Sequence, residues 1–445
     1  MTKSKYPLLA LLLLLGLFYS CEDSGVDPEQ DSTAETNVEE SDDYAFDTDI
    51  TYIVLDGTAV YVTGSGATAE GTVATITTAG TYSVSGSLTN GQLIIDAAAT
   101  DKVKVMLNGA NIANSSNAPL WVKSAAKVVL YLAPETENSL TDGSANSREG
   151  ALYSATKLSL FGTGALSVTA NADGGMVSAG GMIIKEGVYT VSAAGSAIKS
   201  DKNLVIDGGT FTLAAGNDGI HGEESLTFNG GDILISRSEE GVESAEITIN
   251  SGTRIQLTAT DDGLNASSGD DSSENHFYMR GGYLYINAAG DGIDANGYIE
   301  MTGGIVVVDG PTASGNGAID YDKTFTISGG LLVAVGSSGM AQAPSQSSTQ
   351  NVVKVSFGSA KQAGHLVHVQ DSNGNGLLTF SPAKSYQSLL FSSPSLSTGS
   401  AYQLYLGGGA SGTATNGLFE DAAYTAGTLS NSFTISGSVT TLNAN

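Results

Sequence analysis

Four acidic residues, Asp218, Glu240, Asp262 and Asp291, hold the same place in four successive short turns. The turns read Asn217-Asp218-Gly219-Ile220, Glu239-Glu240-Gly241-Val242, Asp261-Asp262-Gly263-Leu264 and Gly290-Asp291-Gly292-Ile293. Asn217, Glu239 and Asp261 stand just before three of these acids. His221, Glu243, Asn265 and Asp294 stand two residues beyond the turn glycine, and Asp320 continues that column one residue out of step. So many oxygen ligands, without clustered His or Cys, suit a hard cation. Ca2+ takes oxygens at about 2.3–2.6 Å and fits better than zinc. Asp-Gly also makes turns by itself, the carboxylate accepting a local hydrogen bond. That accounts for single acids more readily than for acids in adjacent columns. The expected metal ligands are Asp218, Glu239, Glu240, Asp261, Asp262, Asp291 and Asp294. Asp270, Asp271 and Glu274 form a further acidic group in the insertion 267–275.

One base, Lys199, falls near these columns, with His221 one repeat on. Lys199 is the candidate proton acceptor if the chain is a lyase, but an exposed lysine beside carboxylates should stay protonated. Tyr278, Tyr283 and Tyr285 face outward if Phe277, Leu284 and Ile286 face inward, and Arg280 lies among them. Such rings stack on sugar C–H faces and an arginine pairs with a uronate, so these four are candidate carbohydrate contacts. Tyrosines also simply cover sheet faces. Trp121, the one tryptophan, lies in Leu120-Trp121-Val122 and reads as packing. No Ser-His-Asp arrangement, phosphate loop or dinucleotide fingerprint stands out.

The elements that must carry these residues repeat. Leu204 to Leu213 aligns with Leu226 to Ile235 at an offset of 22, and Ile247, Phe277, Ile299 and Phe325 open further copies. Each copy alternates apolar and polar residues, which is strand periodicity. A glycine pair breaks it, and the acidic turn breaks it again about seven residues later. Three short strands per 22 residues make one coil of a right-handed parallel β-helix, whose apolar columns stack inside. The chain should be all-β, with a core over 151–340. An N-terminal β region with the first coils covers 50–150, and a small β-rich cap covers 350–445. The inward columns are Leu204, Leu226, Ile247, Phe277, Ile299 and Phe325, and Ile220, Val242, Leu264 and Ile293.

Composition agrees. Glycine supplies 57 of 445 residues, as many turns require, and no every-third-residue period marks a collagen. There are 46 acids against 18 bases, a net charge of −28, so a nucleic acid is excluded as a partner. A single cysteine excludes a disulfide framework. At the N-terminus, Lys3 and Lys5 precede the apolar run Leu8 to Phe18, the form of a signal peptide. The run ends in Leu17-Phe18-Tyr19-Ser20-Cys21, which resembles a bacterial lipobox. Residues 1–20 then form the signal peptide, and Cys21 takes the lipid. Residues 21–49 are an acidic tether with 12 acids and no Lys or Arg. Glu22 and Asp23 resemble a Bacteroidetes surface-export signal. The expected location is the cell surface or outer membrane.

Across residues 50 to 410 the order of motifs resembles a known family. The stretches are Gly80-Thr81-Tyr82-Ser83-Val84-Ser85-Gly86, Gly91 to Asp96, Val105 to Ile112, the Asp-Gly-Ile turns, Phe391 to Leu396, and Tyr402-Gln403-Leu404-Tyr405-Leu406-Gly407-Gly408. They are similar to calcium-binding, polysaccharide-lyase-like β-helix proteins described as carbohydrate-binding, typified by clostridial surface proteins that bind cellulose and pectic acid. The resemblance implies a pectate-lyase-like β-helix, calcium near Asp218, Glu240, Asp262, Asp291 and Asp294, and carbohydrate binding without catalysis. Glu240 departs from the usual Asp. Three readings stand: a calcium-dependent surface binder of uronic-acid or cellulosic polysaccharide, a calcium-dependent lyase of the pectate-lyase type, and a structural or adhesion protein that calcium only stiffens.

Overall fold

A computed structural model describes residues 44–45, 48–268, 275–420 and 422–444. The signal peptide, Cys21, nearly all of the tether, and Asp270, Asp271 and Glu274 lie outside the described residues. Every described element is a strand or a connection between strands. The strands stack in parallel into three faces of a β-helix of about ten coils.

The first face matters most for function. Its strands run Gln92–Asp96, Leu120–Ser124, Gly150–Ser154, Gly174–Ser178, Ile198–Ser200, Ile220–Phe228, Val242–Ile249, Leu264–Ala266, Ile293–Ala295 and Ile319–Tyr321. Each pairs in parallel with the next. The inward columns are those expected. Leu204, Leu226, Ile247, Phe277, Ile299 and Phe325 pair in register and are at most 2% exposed. Ile220, Val242, Leu264 and Ile293 do the same beside the acidic turns. Each such side chain contributes about 1.5–3 kcal/mol by leaving water.

Parallel pairing begins earlier than the sequence period suggests. Ile50–Gly57 already pairs in parallel with Gly80–Leu88, and that strand with Lys102–Asn114. Two antiparallel hairpins, closed by Val60–Thr63 and by Val73–Ile76, interrupt these coils and hide the repeat. At the other end, Tyr386–Ser392 adds antiparallel to Leu331–Gly336, and Val352–Lys361 adds to it in turn. A second, six-stranded sheet folds over this extension. Together they bury Val307, Val333 and Val335, outward residues of the third face, in a second core with Val353, Phe357, Phe380 and Phe391.

The two glycine sites of a coil have different causes. In the pairs, the second glycine is left-handed, with φ of +109° at Gly209 and +76° at Gly282. Only glycine adopts this without strain. In the Asp-Gly turns, φ is ordinary and the constraint is stacking. A Cβ on Gly241 would lie 2.2 Å from the Gly263 carbonyl oxygen of the next coil. Gly241→Ala should therefore cost about 1–3 kcal/mol of stability. A melting temperature equal to that of the unchanged protein would contradict close stacking at these turns.

Candidate functional site

The outward residues of the first face form one ladder. In register, coil by coil, they are Ile94, Trp121, Tyr153, Val177, Lys199, His221, Glu243, Asn265, Asp294 and Asp320. Asp320 is thus in step with Asp294, contrary to the sequence expectation. Ala318 takes the place that Gly292 holds one coil earlier, which adds a residue between Gly317 and Asp320.

The turn acids form a second column beside it. The N–H groups of Gly219, Gly241 and Gly263 donate to the carbonyls of Glu240, Asp262 and Asp291 at 2.9, 3.0 and 2.9 Å. This backbone ladder fixes the acids one above another. They do not all face water, as alternation had suggested. Asp218 is 3% exposed, while Glu240, Asp262 and Asp291 are half-buried. Glu239 and Asp261 stay exposed at the rim.

Two electrostatic regimes follow along the axis. At the Asp218 end one cation offsets part of the charge. Ser196 Oγ and Asn217 Nδ2 donate to Asp218 Oδ2 at 2.9 and 3.2 Å. His221 Nδ1 lies 3.2 Å from that oxygen and 2.9 Å from Glu243 Oε2. Burial pulls the His221 pKa down, but Asp218 and Glu243 outweigh it and push it up to about 10. His221 is therefore an imidazolium between two carboxylates. Among the described residues, Asp218, His221 and Glu243 are the group of three potential ligands whose atoms all lie within 4.8 Å of one another.

Further along, no cation among the described residues answers the acids. Burial, reinforced by Glu243, Asp218 and Asp262, pushes Glu240 up to about 7. Burial, then Asp291, Asp261 and Asp320, pushes Asp262 up to about 6. Burial, then Asp262, Asp291 and Asp320, pushes Asp294 up to about 7. Asp291 moves the same way. Backbone donors offset part of this: Asp291 N–H reaches Asp262 at 2.6 Å and Gly317 N–H reaches Asp291 at 2.5 Å. Asn265 donates to Glu240 Oε2 at 2.9 Å, but its own Oδ1 is buried with no donor. Half-buried carboxylates and an orphaned amide oxygen, with no basic partner among the described residues, match calcium in donor type, but their oxygens do not close to within 4.8 Å of one another as those of Asp218, His221 and Glu243 do.

The other predicted residues divide. Lys199 lies on the ladder and pairs with Asp201 at 3.3 Å. Burial lowers its pKa, but Asp201 and then Glu149 and Glu223 raise it net, so it is protonated. Tyr278 and Arg280 lie on the second face, the guanidinium 5.0 Å from the ring, beside a stack of His276 on Tyr298 at 4.7 Å. Tyr283 and Tyr285 belong to the third face and turn toward the C-terminal domain. Tyr285 donates to Asp309 at 3.0 Å, and Asn416 donates to the Tyr283 hydroxyl at 3.0 Å. The four do not share one surface. Trp121, read from sequence as packing, is half-buried on the ladder with the Arg148 guanidinium 3.9 Å from its ring. Its place one residue from the inward Leu120 and Val122 was the available signal.

A family model described as carbohydrate-binding domain-containing protein matches residues 70–235 and 216–356, more than half of the chain. A carbohydrate-binding domain-containing protein of Acetivibrio thermocellus is 33% identical over 126 residues, 26% of this chain and 44% of the relative. The match thus spans less than half of that relative. A solved structure, a gadolinium derivative of the polysaccharide lyase-like protein from C. thermocellum, aligns with a TM-score of 0.44 and 23% identity. It covers 65% of this chain and 98% of the solved one.

The raised carboxylates set a pH dependence for the metal-free protein. Glu240, Asp262 and Asp294 hold protons more tightly folded than unfolded. Their contribution is full below the unfolded value of about 4 and is lost as pH rises through about 6 to 7. In chelator, the melting temperature should fall over that window, and Glu240→Gln with Asp294→Asn should flatten the fall. Equal slopes would contradict the assignment.

Proposed function

Because this chain belongs to the carbohydrate-binding domain-containing family, we propose that it is a non-catalytic, calcium-dependent binder of an acidic polysaccharide. The observation that carries this reading is the half-buried ladder of Glu240, Asp262, Asp291 and Asp294, with no basic partner among the described residues. Calcium held there would offset the repulsion and, since calcium accepts six to eight oxygens, could also take a uronate carboxylate and so link an acidic protein face to an acidic glycan. Asp262, Asp291, Asp294 and the Asn265 amide oxygen are the residues that would hold it, with Glu240 and Asp320 flanking them.

The non-catalytic part is supported by the protonation of the two basic groups on the ladder. A lyase needs a neutral base to take a proton from the sugar ring. Lys199 and His221 both have raised pKa values and carry their protons at neutral pH. Anchorage is part of the same proposal: lipid on Cys21 and a tether of like charges would hold the β-helix away from the outer membrane surface.

Calcium should raise the melting temperature and EDTA should reverse the gain. Asp262→Ala combined with Asp291→Ala should abolish the difference, and a calcium response unchanged in that variant would overturn the metal assignment. Incubated with polygalacturonate and calcium, the protein should retain the polymer without accumulating the absorbance of unsaturated sugars. Steady accumulation would replace binder with lyase. Cys21→Ser should move the protein from the membrane fraction to the soluble fraction, and unchanged fractionation would refute the lipid anchor.

A further inference from the structure

Beyond Lys199 the ladder continues away from the acids, and there its chemistry reverses. Val177 is fully buried on the next rung, and Tyr153 and Trp121 follow, both half-buried. Two cations flank the tryptophan ring. Lys123 lies 6.0 Å from its centre and is tied to Asp96 at 2.5 Å. Arg148 lies 3.9 Å from it. Among the described residues no carboxylate or carbonyl accepts from its guanidinium, and Arg148 Nε is shielded from water without a partner. The Tyr153 hydroxyl also has no hydrogen-bond partner among the described residues. Tyr153 lies within the fields of Glu149 and Asp201 as well as those of Arg148 and Lys199. Lys199, two rungs on, keeps a third of its side chain exposed beside its one partner, Asp201.

We propose that Trp121, Arg148, Tyr153 and Lys199 form a subsite for an anionic sugar, so that a uronate chain lies along the ladder from the Trp121 rung to the calcium-bearing acids. This rests on the acidic-polysaccharide reading above and adds a second point of contact. Three features select the ligand class. The guanidinium fixed on an aromatic face presents its remaining N–H groups as a planar fork, the geometry that a carboxylate accepts in pairs. The phenol ring between the two cations offers a face for sugar C–H groups. The rung spacing of about 4.8 Å is on the scale of one sugar unit, and the six rung spacings from Tyr153 to Asp294 span roughly 29 Å. A chain lying along the axis would meet the unpaired Arg148 guanidinium and the partly exposed Lys199 ammonium at one end and metal at the other. A neutral glucan would satisfy neither.

Trp121 is the one tryptophan in the chain, so its fluorescence reports this subsite alone. The full chain, saturated with calcium, is titrated with a galacturonate decamer and with a cello-oligosaccharide of equal length. Affinity is read by calorimetry and by tryptophan emission. The decamer should bind and shift the emission, and the neutral oligomer should do neither. Arg148→Gln with Lys199→Gln should weaken decamer binding about tenfold or more, the loss of at least one charge-assisted hydrogen bond. Its calcium-induced rise in melting temperature should be unchanged. Arg237→Gln with Lys323→Gln, the same charge change off the ladder, should bind as the unchanged protein does. Decamer binding with silent tryptophan and equal affinity in Arg148→Gln, Lys199→Gln would overturn the subsite and leave the acidic-polysaccharide reading standing. No decamer binding by the unchanged protein would overturn both.

Discussion

In-register stacking of short strands at about 4.8 Å governs this molecule. It makes every position of a coil the near neighbour of the same position in the next. Inside, that is favourable without further arrangement: Leu204 meets Leu226, then Ile247, then Phe277. Outside, it sets like on like. Two bare carboxylates on adjacent rungs repel by roughly 3 to 4 kcal/mol at an effective dielectric of 20. The backbone cannot relieve this, because the turn N–H groups that hold the acids in line also close the coils.

The chain meets the repulsion in two ways. At the Asp218 rung, His221 supplies an internal cation between Asp218 and Glu243. At the Asp262, Asp291 and Asp294 rungs there is no histidine. Asn265 stands between Glu243 and Asp294 and lowers the charge by one, but the pKa values stay high. The face therefore grades from aromatic and basic residues through a partly compensated rung to uncompensated acids. A calcium ion at the acidic end would complete the series. Much of the counted charge of −28 lies elsewhere: 12 acids belong to the tether and say little about this face.

The β-helix was legible because its signals are local and repeat. Alternation marks strands, the 22-residue offset marks coils, and glycine pairs mark turns at positive φ. The Asp-Gly glycines were equally visible, but their cause was not, since the approach of Gly263 to Gly241 is a contact between coils. Sequence placed the acid column correctly and misjudged its exposure, because Ser196 and Asn217 cover Asp218 from neighbouring positions that alternation does not describe. It joined Tyr278 and Arg280 to Tyr283 and Tyr285, since a turn at Gly281-Gly282 moves the chain from one face to the next. It could not see that the C-terminal domain covers the third face. Asp320 looked out of step because one added residue is absorbed inside the turn.

Diffraction from crystals grown in calcium, recorded where calcium scatters anomalously, tests the central claim most directly. Anomalous density bridging Asp262, Asp291 and Asp294, with the Asn265 amide oxygen as a ligand, is the predicted result. Well-ordered carboxylates at those rungs with no anomalous density, held instead by shared protons or water, would contradict it.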